Sequence, residues 1–369
     1  MGTYTAAQEI ILSLFREEKG TSINPENVDC KELYWHLVNH KVNCLFGSVK
    51  DKYKEIIESD RVLSYQLNND YQNNRIRCDI LGTQVLPQIA DILEKNTISF
   101  VFLKGNSTCF GLYEKLGARR FRDIDILVEK NDVRLVKKVL SEAGIKPEQE
   151  DDYNVKSAYF EMVTHQTYPF IAKNEYLADG GIEIDINFGY GPEAVLKNPK
   201  IVSEALQRKT AVIYKGNVIP CLSHEDEVIF LCIHIWRDAV YLHRIKNNSD
   251  IRLYQYYELV ELIRKYELDW DFIHDFTKKY NLSDYVYYAL YHTLMICPEL
   301  KEKVSAFMNR TGISRVDFLD EFGAENKTPG KWPIPFSERI FNNKKFDAIA
   351  ERYDMSSFEA FNSRQKILD

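Results

Sequence analysis

No segment of the chain approaches the ~20 consecutive apolar residues that a membrane-spanning helix requires, although 45% of its 369 residues are apolar and 28% are charged. That balance belongs to globular proteins, and a soluble chain is expected. Met1 to Gln8 lacks the basic start and apolar run of an export signal, and Ala6 stands where a myristoylation motif wants Ser or Thr. Neither export nor a lipid anchor is expected. There is no Cys-x-x-Cys pair, and the seven cysteines are scattered and odd in number. A disulfide framework and a zinc knuckle are both disfavoured, and a reducing cytoplasm is the expected location. An excess of basic charge is also missing: 48 Lys and Arg against 55 Asp and Glu leave a formal net charge of −7. This disfavours the broad basic surface that long nucleic acids need, and directs attention to small-molecule, peptide or protein partners. No internal repeat or low-complexity tract interrupts the sequence.

What is present divides into three stretches. From Tyr4 to about Asn96 apolar residues recur at spacings of three and four, as in Ile10, Ile11, Leu14 and Phe15, so residues 1–96 read as a helical N-terminal region. Between 97 and 222 the rhythm changes. Ile98 to Leu103 is a short buried-strand run, Asn106 to Lys115 can be helical, Arg122 to Val128 alternates polar with apolar, and Asp132 to Glu142 resumes a helical period. Ser157 to Thr164, Thr167 to Ala172 and Ile182 to Phe188 are further strand candidates, and Ala211 to Tyr214 with Val218 to Leu222 predict a hairpin. From 223 to 369 helices return, with Ser223 as a predicted N-cap and Asp226 three residues on. The expectation is an α+β fold, its central sheet domain flanked by helical regions.

The chemistry concentrates in two places. In Arg119-Arg-Phe-Arg-Asp123-Ile-Asp125-Ile-Leu-Val128, residues two apart on a strand share a face, so Asp123 and Asp125 stand side by side while Ile124, Ile126 and Val128 point to the core. Like charges that close repel unless a cation intervenes, and hard divalent cations prefer oxygen ligands. Taken alone, Asp-x-Asp is more often just the acidic side of a solvent-facing strand. Upstream, Lys104-Gly105-Asn106-Ser107 sits at a strand-to-helix junction, where backbone N–H groups favour an anion; Gly105 permits close approach and Ser107 offers a hydroxyl donor. Gly181-Ile-Glu183-Ile-Asp185-Ile-Asn187 brings a second strand with acids at alternate positions, either of which can supply a third carboxylate. Arg119, Arg120 and Arg122 beside two aspartates serve either charge balance or phosphate binding. His234 reads as a core histidine of an apolar helix.

The order Leu-Lys104-Gly105, then Leu112-Tyr113, then Arg119-x-x-x-Asp123-Ile-Asp125-Ile-Leu-Val128 closely resembles the uncharacterised nucleotidyltransferase family NTP-transferase 5, of the DNA polymerase β superfamily. The resemblance extends from about Glu32 to Leu290 and includes Leu222-Ser223-His224-Glu225-Asp226. It implies a polymerase β-type nucleotidyltransferase core. It also implies nucleotide contacts at Lys104, Gly105, Asn106, Ser107 and Arg119, and catalytic and metal-binding acids at Asp123, Asp125 and Glu183, with Asp185 the competing third ligand. Family members show histidine two residues after the third acid, where this chain has Asp185. The implied cofactor is Mg2+ or Mn2+ and the implied substrate a nucleoside triphosphate. Nucleoside monophosphate would pass to a hydroxyl of a small molecule, peptide or protein. A catalytically silent nucleotide- or partner-binding module, or transfer of a sugar or phosphate, are the alternatives, because fold does not fix function.

Overall fold

The structure is a computed structural model that describes residues 4–16, 23–147, 158, 160–162, 164–324 and 328–350. The chain divides into two compact units, Leu67–Glu227 and Met1–Gln66 together with Val228–Asp369. The divisions fall within the continuous helices Arg61–Ile80 and His224–Val240. The fold is α+β with a mixed sheet, as expected. Among the described residues no helix is long and apolar enough to cross a membrane.

The unit Leu67–Glu227 is built on seven strands: β1 (Phe100–Phe102), β2 (Asp123–Val128), β3 (Lys146–Pro147), β4 (Phe170–Lys173), β5 (Gly181–Asn187), β6 (Thr210–Tyr214) and β7 (Asn217–Cys221). Their order is β3-β4-β5-β2-β1-β7-β6. β2 runs parallel to β5 and β1 parallel to β7, whereas the other neighbours are antiparallel. The alternation in β2 and β5 puts Ile124, Ile126, Ile184 and Ile186 on one face, all fully buried, against Leu81, Leu86, Ile89 and Leu93. Each such side chain withdrawn from water stabilises the unit by roughly 1.5–3 kcal/mol, so this apolar face fixes which residues the opposite face presents. The segment 67–96, which periodicity placed with the N-terminal region, thus packs on the sheet. The β6–β7 hairpin turns at Lys215 and Gly216, the latter at φ +86. Ser223 Oγ accepts from the Asp226 N–H at 3.1 Å and donates to Asp226 Oδ2 at 2.8 Å, confirming the N-cap, and Arg208 grips the same carboxylate at 2.7 and 2.9 Å.

One expectation is corrected. Of the segment 157–164 read as a strand, residues 158 and 160–162 are helical, while Ser157, Tyr159 and Val163 lie outside the described residues. Local alternation there gave no means of excluding a short helical turn. The second unit is mainly helical, with Cys30–Asn39, Leu253–Lys265, Trp270–Lys279, Ser283–Ile296 and Lys301–Arg310 among its elements, and carries a short antiparallel pair of strands, Glu321–Phe322 and Gly330–Lys331. Its interior includes a Lys345–Asp250 ion pair of 2.8 Å with both side chains at most 3% exposed.

The helical path from Arg61 to Lys95 contains one wide π turn, Leu81–Val85. Gly82 in that turn faces Phe110 and Tyr214: a Cβ added there would lie 2.5 Å from Phe110 Cε1 and 2.7 Å from Tyr214 Cδ1. Gly82→Ala is therefore expected to destabilise the protein by roughly 1–3 kcal/mol, the usual cost of overpacking. Denaturant unfolding reads this directly, and an unchanged midpoint would mean that both rings move aside freely.

Candidate active site

The parallel pairing of β2 with β5 sets Asp123 opposite Glu183 and Asp125 opposite Asp185. Neighbouring strands are about 4.8 Å apart, and residues two apart on one strand about 6.6 Å, so these acids form a two-by-two patch on the face opposite the isoleucines. The patch is graded in depth. Glu183 is exposed, Asp123 and Asp185 are half-buried, and Asp125 is only 1% exposed.

Asp125 is the best held of the acids. Its Oδ1 accepts from Lys104 Nζ at 2.8 Å and from Asn187 Nδ2 at 3.2 Å, but its Oδ2 is buried and makes no hydrogen bond. Burial pushes its carboxyl pKa up; Lys104 opposes that and Asp123 adds to it. Burial also raises Asp185, to about 8, reinforced by the charge of Asp125 and resisted by Lys104. Two of the four acids, Asp125 and Asp185, thus sit where burial and neighbouring like charge disfavour their ionised forms. The donors are hard oxygens, and the unpartnered Oδ2 of Asp125 stands in the same patch, so the residues fit a divalent cation in charge and in donor type. Among the described residues no three Asp, Glu, His or Cys side chains close around one point as ligands; the counter-charge on Asp125 comes from Lys104.

The turn before the patch is knitted tightly. Lys104 adopts φ +54 and ψ −137, a conformation that costs a non-glycine residue about 1–3 kcal/mol. Its carbonyl accepts from Ser107 Oγ and Thr108 Oγ1, each at 3.0 Å, and from the N–H groups of Ser107 and Thr108. Asn106 Nδ2 donates to the Leu103 carbonyl at 3.2 Å and to the Asp123 carbonyl at 3.3 Å, tying the turn to β2. At Gly105 an added Cβ would lie 2.8 Å from Phe121 Cβ, so close packing against Phe121 requires glycine there. In this structure the Ser107 hydroxyl is thus spent within the turn, the Asn106 amide nitrogen is used while its buried Oδ1 makes no hydrogen bond, and Lys104 reaches a carboxylate.

Arg119 is also turned inward, 4% exposed, with its guanidinium donating to the Arg120 carbonyl. The neighbours that reach solvent are Arg120 and Arg122. Together with Arg77 they line a cleft of about 970 Å3 at the starting ends of β2 and β5, which extends to Glu183 but not to Asp125 or Asp185. Two participants escaped the sequence reading. Asn187 carries a recoverable signal, since it continues the alternation of Glu183 and Asp185. Arg77 has none, because only folding brings it 45 residues along the chain to donate to the Arg122 carbonyl at 3.0 Å.

Comparison with known proteins agrees with this picture at the level of family. Residues 26–295 match the family described as uncharacterised nucleotidyltransferase. No curated protein matches the chain. The solved structure of an antigenic nucleotidyltransferase-like protein from Paracoccidioides brasiliensis is similar over 62% of this chain and 93% of its own, at 16% identity and a TM-score of 0.39, a likeness too loose to carry an argument.

The raised pKa of Asp185 has a consequence for stability. Unfolded, the group ionises near pH 4; folded, it holds its proton to about 8. The folded state is therefore progressively disfavoured as pH rises from about 4 to about 8, and the loss levels off above that. Asp185→Asn removes the penalty. In chelator it should melt higher than the parent at pH 8 by at least ~2–4 °C, the shift that about 1 kcal/mol produces, with the difference shrinking toward pH 5. Melting curves at both pH values test this, and equal midpoints at pH 8 would contradict the penalty that burial and the neighbouring acids place on the charged Asp185.

Proposed function

The chain belongs to the uncharacterised nucleotidyltransferase family, and we propose that it transfers a nucleoside monophosphate from a nucleoside triphosphate to a hydroxyl of a small molecule, peptide or protein, with Mg2+ or Mn2+ at the acidic patch. The observation that supports this most is the register that sets Asp123 and Asp125 against Glu183 and Asp185 on one sheet face. Asp123, Asp125 and Asp185 would hold the cation once their carboxylates turn toward a common point, which they do not share in this structure, and it would supply charge neutralisation for the phosphates and the developing oxyanions. Asp185 is preferred over Glu183 as third ligand because it faces Asp125 across the strands and is the more buried. Lys104, whose ammonium meets Asp125 in this structure, would supply positive charge to the phosphates of a bound triphosphate.

Glu183, exposed at the rim, is placed to take a proton. The acceptor oxygen forms a bond to the α-phosphorus, the bond from that phosphorus to the bridging oxygen breaks, and pyrophosphate leaves with the electron pair. The acceptor's proton passes to the Glu183 carboxylate. Asn106, by fixing the turn to the Asp123 backbone, keeps the aspartate and Lys104 in constant relation. A catalytically silent nucleotide-binding module is the second reading, favoured by the Lys104–Asp125 ion pair, which already neutralises the deepest acid.

Four substitutions separate the roles. Asp123→Asn, Asp125→Asn and Asp185→Asn should each weaken metal-dependent triphosphate binding by at least ~10-fold and abolish turnover, since a charged ligand contributes to the ground state as well. Glu183→Gln should retain binding and lose roughly 10²–10⁴ in single-turnover rate. Calorimetry with and without chelator, with mass detection of nucleotidylated products, reads both quantities. Equal triphosphate affinity of the parent in either condition would sink the metal-bridged site, and a Glu183→Gln protein that turns over normally while Asp185→Asn still binds would reverse the two assignments.

A further inference from the structure

The arginine-lined cleft is separate from the deep end of the acidic patch and is not needed to explain it. Arg77, on the helix Arg61–Ile80, forms one wall; Arg120 and Arg122, from the loop entering β2, form another; Tyr176 and Gly181 close the far side. Arg77 donates to the Arg122 carbonyl, faces the mostly exposed Asp179 at a loose 3.8 Å, and leaves its buried Nε without a hydrogen bond. Neither Arg120 nor Arg122 pairs with an acid among the described residues. Burial lowers the Arg77 pKa, with Asp179 pulling against it and the like charges of Arg120 and Arg122 adding to it. Guanidinium groups favour compact oxyanions, and three of them, one with an unpartnered buried donor, line this cavity together with the carboxylates of Asp70, Asp179 and Glu183. Its volume lies in the range of small-molecule sites, roughly 300–1,000 Å3.

We infer that this cleft holds the acceptor, and that the acceptor is a phosphomonoester bearing a free hydroxyl, of the sugar-phosphate class. The inference rests on the transfer proposed above. A phosphomonoester carries up to two charges on three oxygens, which suits three guanidinium forks better than a single carboxylate does. Asn73 on the cleft wall offers an amide that can donate to and accept from hydroxyl groups. The connection to chemistry is Glu183, which lines the cleft and also stands opposite Asp123. A hydroxyl of a molecule anchored by its phosphate at the arginines is thereby offered at the one acid shared by cleft and patch. The phosphate of the nucleoside triphosphate is the other source of the same chemistry, and the test distinguishes the two.

Calorimetry on the full chain would compare inorganic phosphate, glucose 6-phosphate and glucose in the presence of chelator, and ATP in the presence of Mg2+, for the parent, for Arg120→Gln with Arg122→Gln, and for Asp125→Asn. Arg120 and Arg122 are half-buried and exposed, so their replacement leaves no core cavity. The expected result is that both phosphate-bearing probes bind and glucose does not. The arginine variant should lose at least tenfold in affinity for the phosphate probes while keeping that for ATP, and Asp125→Asn should do the reverse. Failure of both phosphate probes to bind the parent, or binding undiminished in the arginine variant, overturns the inference. Loss of ATP affinity in the arginine variant also overturns it, by making the cleft a triphosphate subsite. Binding of the phosphate probes with no binding of ATP in any form would overturn the transfer reading while supporting the cleft as an oxyanion site.

Discussion

The in-register parallel pairing of β2 with β5 is the constraint on which the candidate site depends. The isoleucines on one face leave no freedom of register, because a slip of one residue would turn the carboxylates into the core and the isoleucines out. Apolar burial therefore enforces an electrostatically unfavourable arrangement on the opposite face, holding Asp125 against Asp185. The fold accepts the repulsion there and relieves part of it locally, with one ammonium from Lys104 and one amide from Asn187. Stability and site chemistry are two faces of the same strand pair.

The turn from Leu103 to Thr108 shows how a second constraint is met. A non-glycine residue at positive φ is retained at Lys104, and its carbonyl collects four donors from the following turn. Those bonds compensate the strain, and they explain why the hydroxyl that suggests ligand binding in the sequence is occupied locally. The glycine has an equally local reason, contact with Phe121. Ligand-binding motifs and tightly packed turns draw on the same residue types, so composition alone does not separate them.

Period-two alternation makes β2 and β5 legible in the amino-acid sequence, together with the placement of their acids on a shared face, and the hairpin and the Ser223 cap are equally plain there. These are local signals. The relation between Glu183 and Asp185 is not legible, because the choice between them depends on which residue of a distant strand lies opposite. The cleft is hidden for the same reason: Arg77 belongs to a helix whose apolar spacing says nothing about its polar side, and its partners at 120 and 122 are separated from it in the chain by further helices and a strand. Arg119 shows the opposite case, a residue singled out by the family pattern whose side chain the structure buries.

The wide turn at Leu81–Val85 links the cleft to the core in another way. Before it, Asn74 and Arg77 face the cleft; after it, Leu86, Ile89 and Leu93 face the sheet. A π turn accommodates one surplus residue, which in a regular α-helix would rotate everything downstream by about 100°. The bulge thus acts as a spacer that keeps two faces in phase across an insertion. Removal of one residue inside 81–85 can be absorbed by closing the turn to ordinary α-geometry, whereas the same deletion at Arg75 or Ile76 would keep Arg77 in phase with the sheet face and rotate Asp70, Asn73 and Asn74 away from the cleft. Length variation along this helix is consequently tolerable at one place and disruptive at its neighbours.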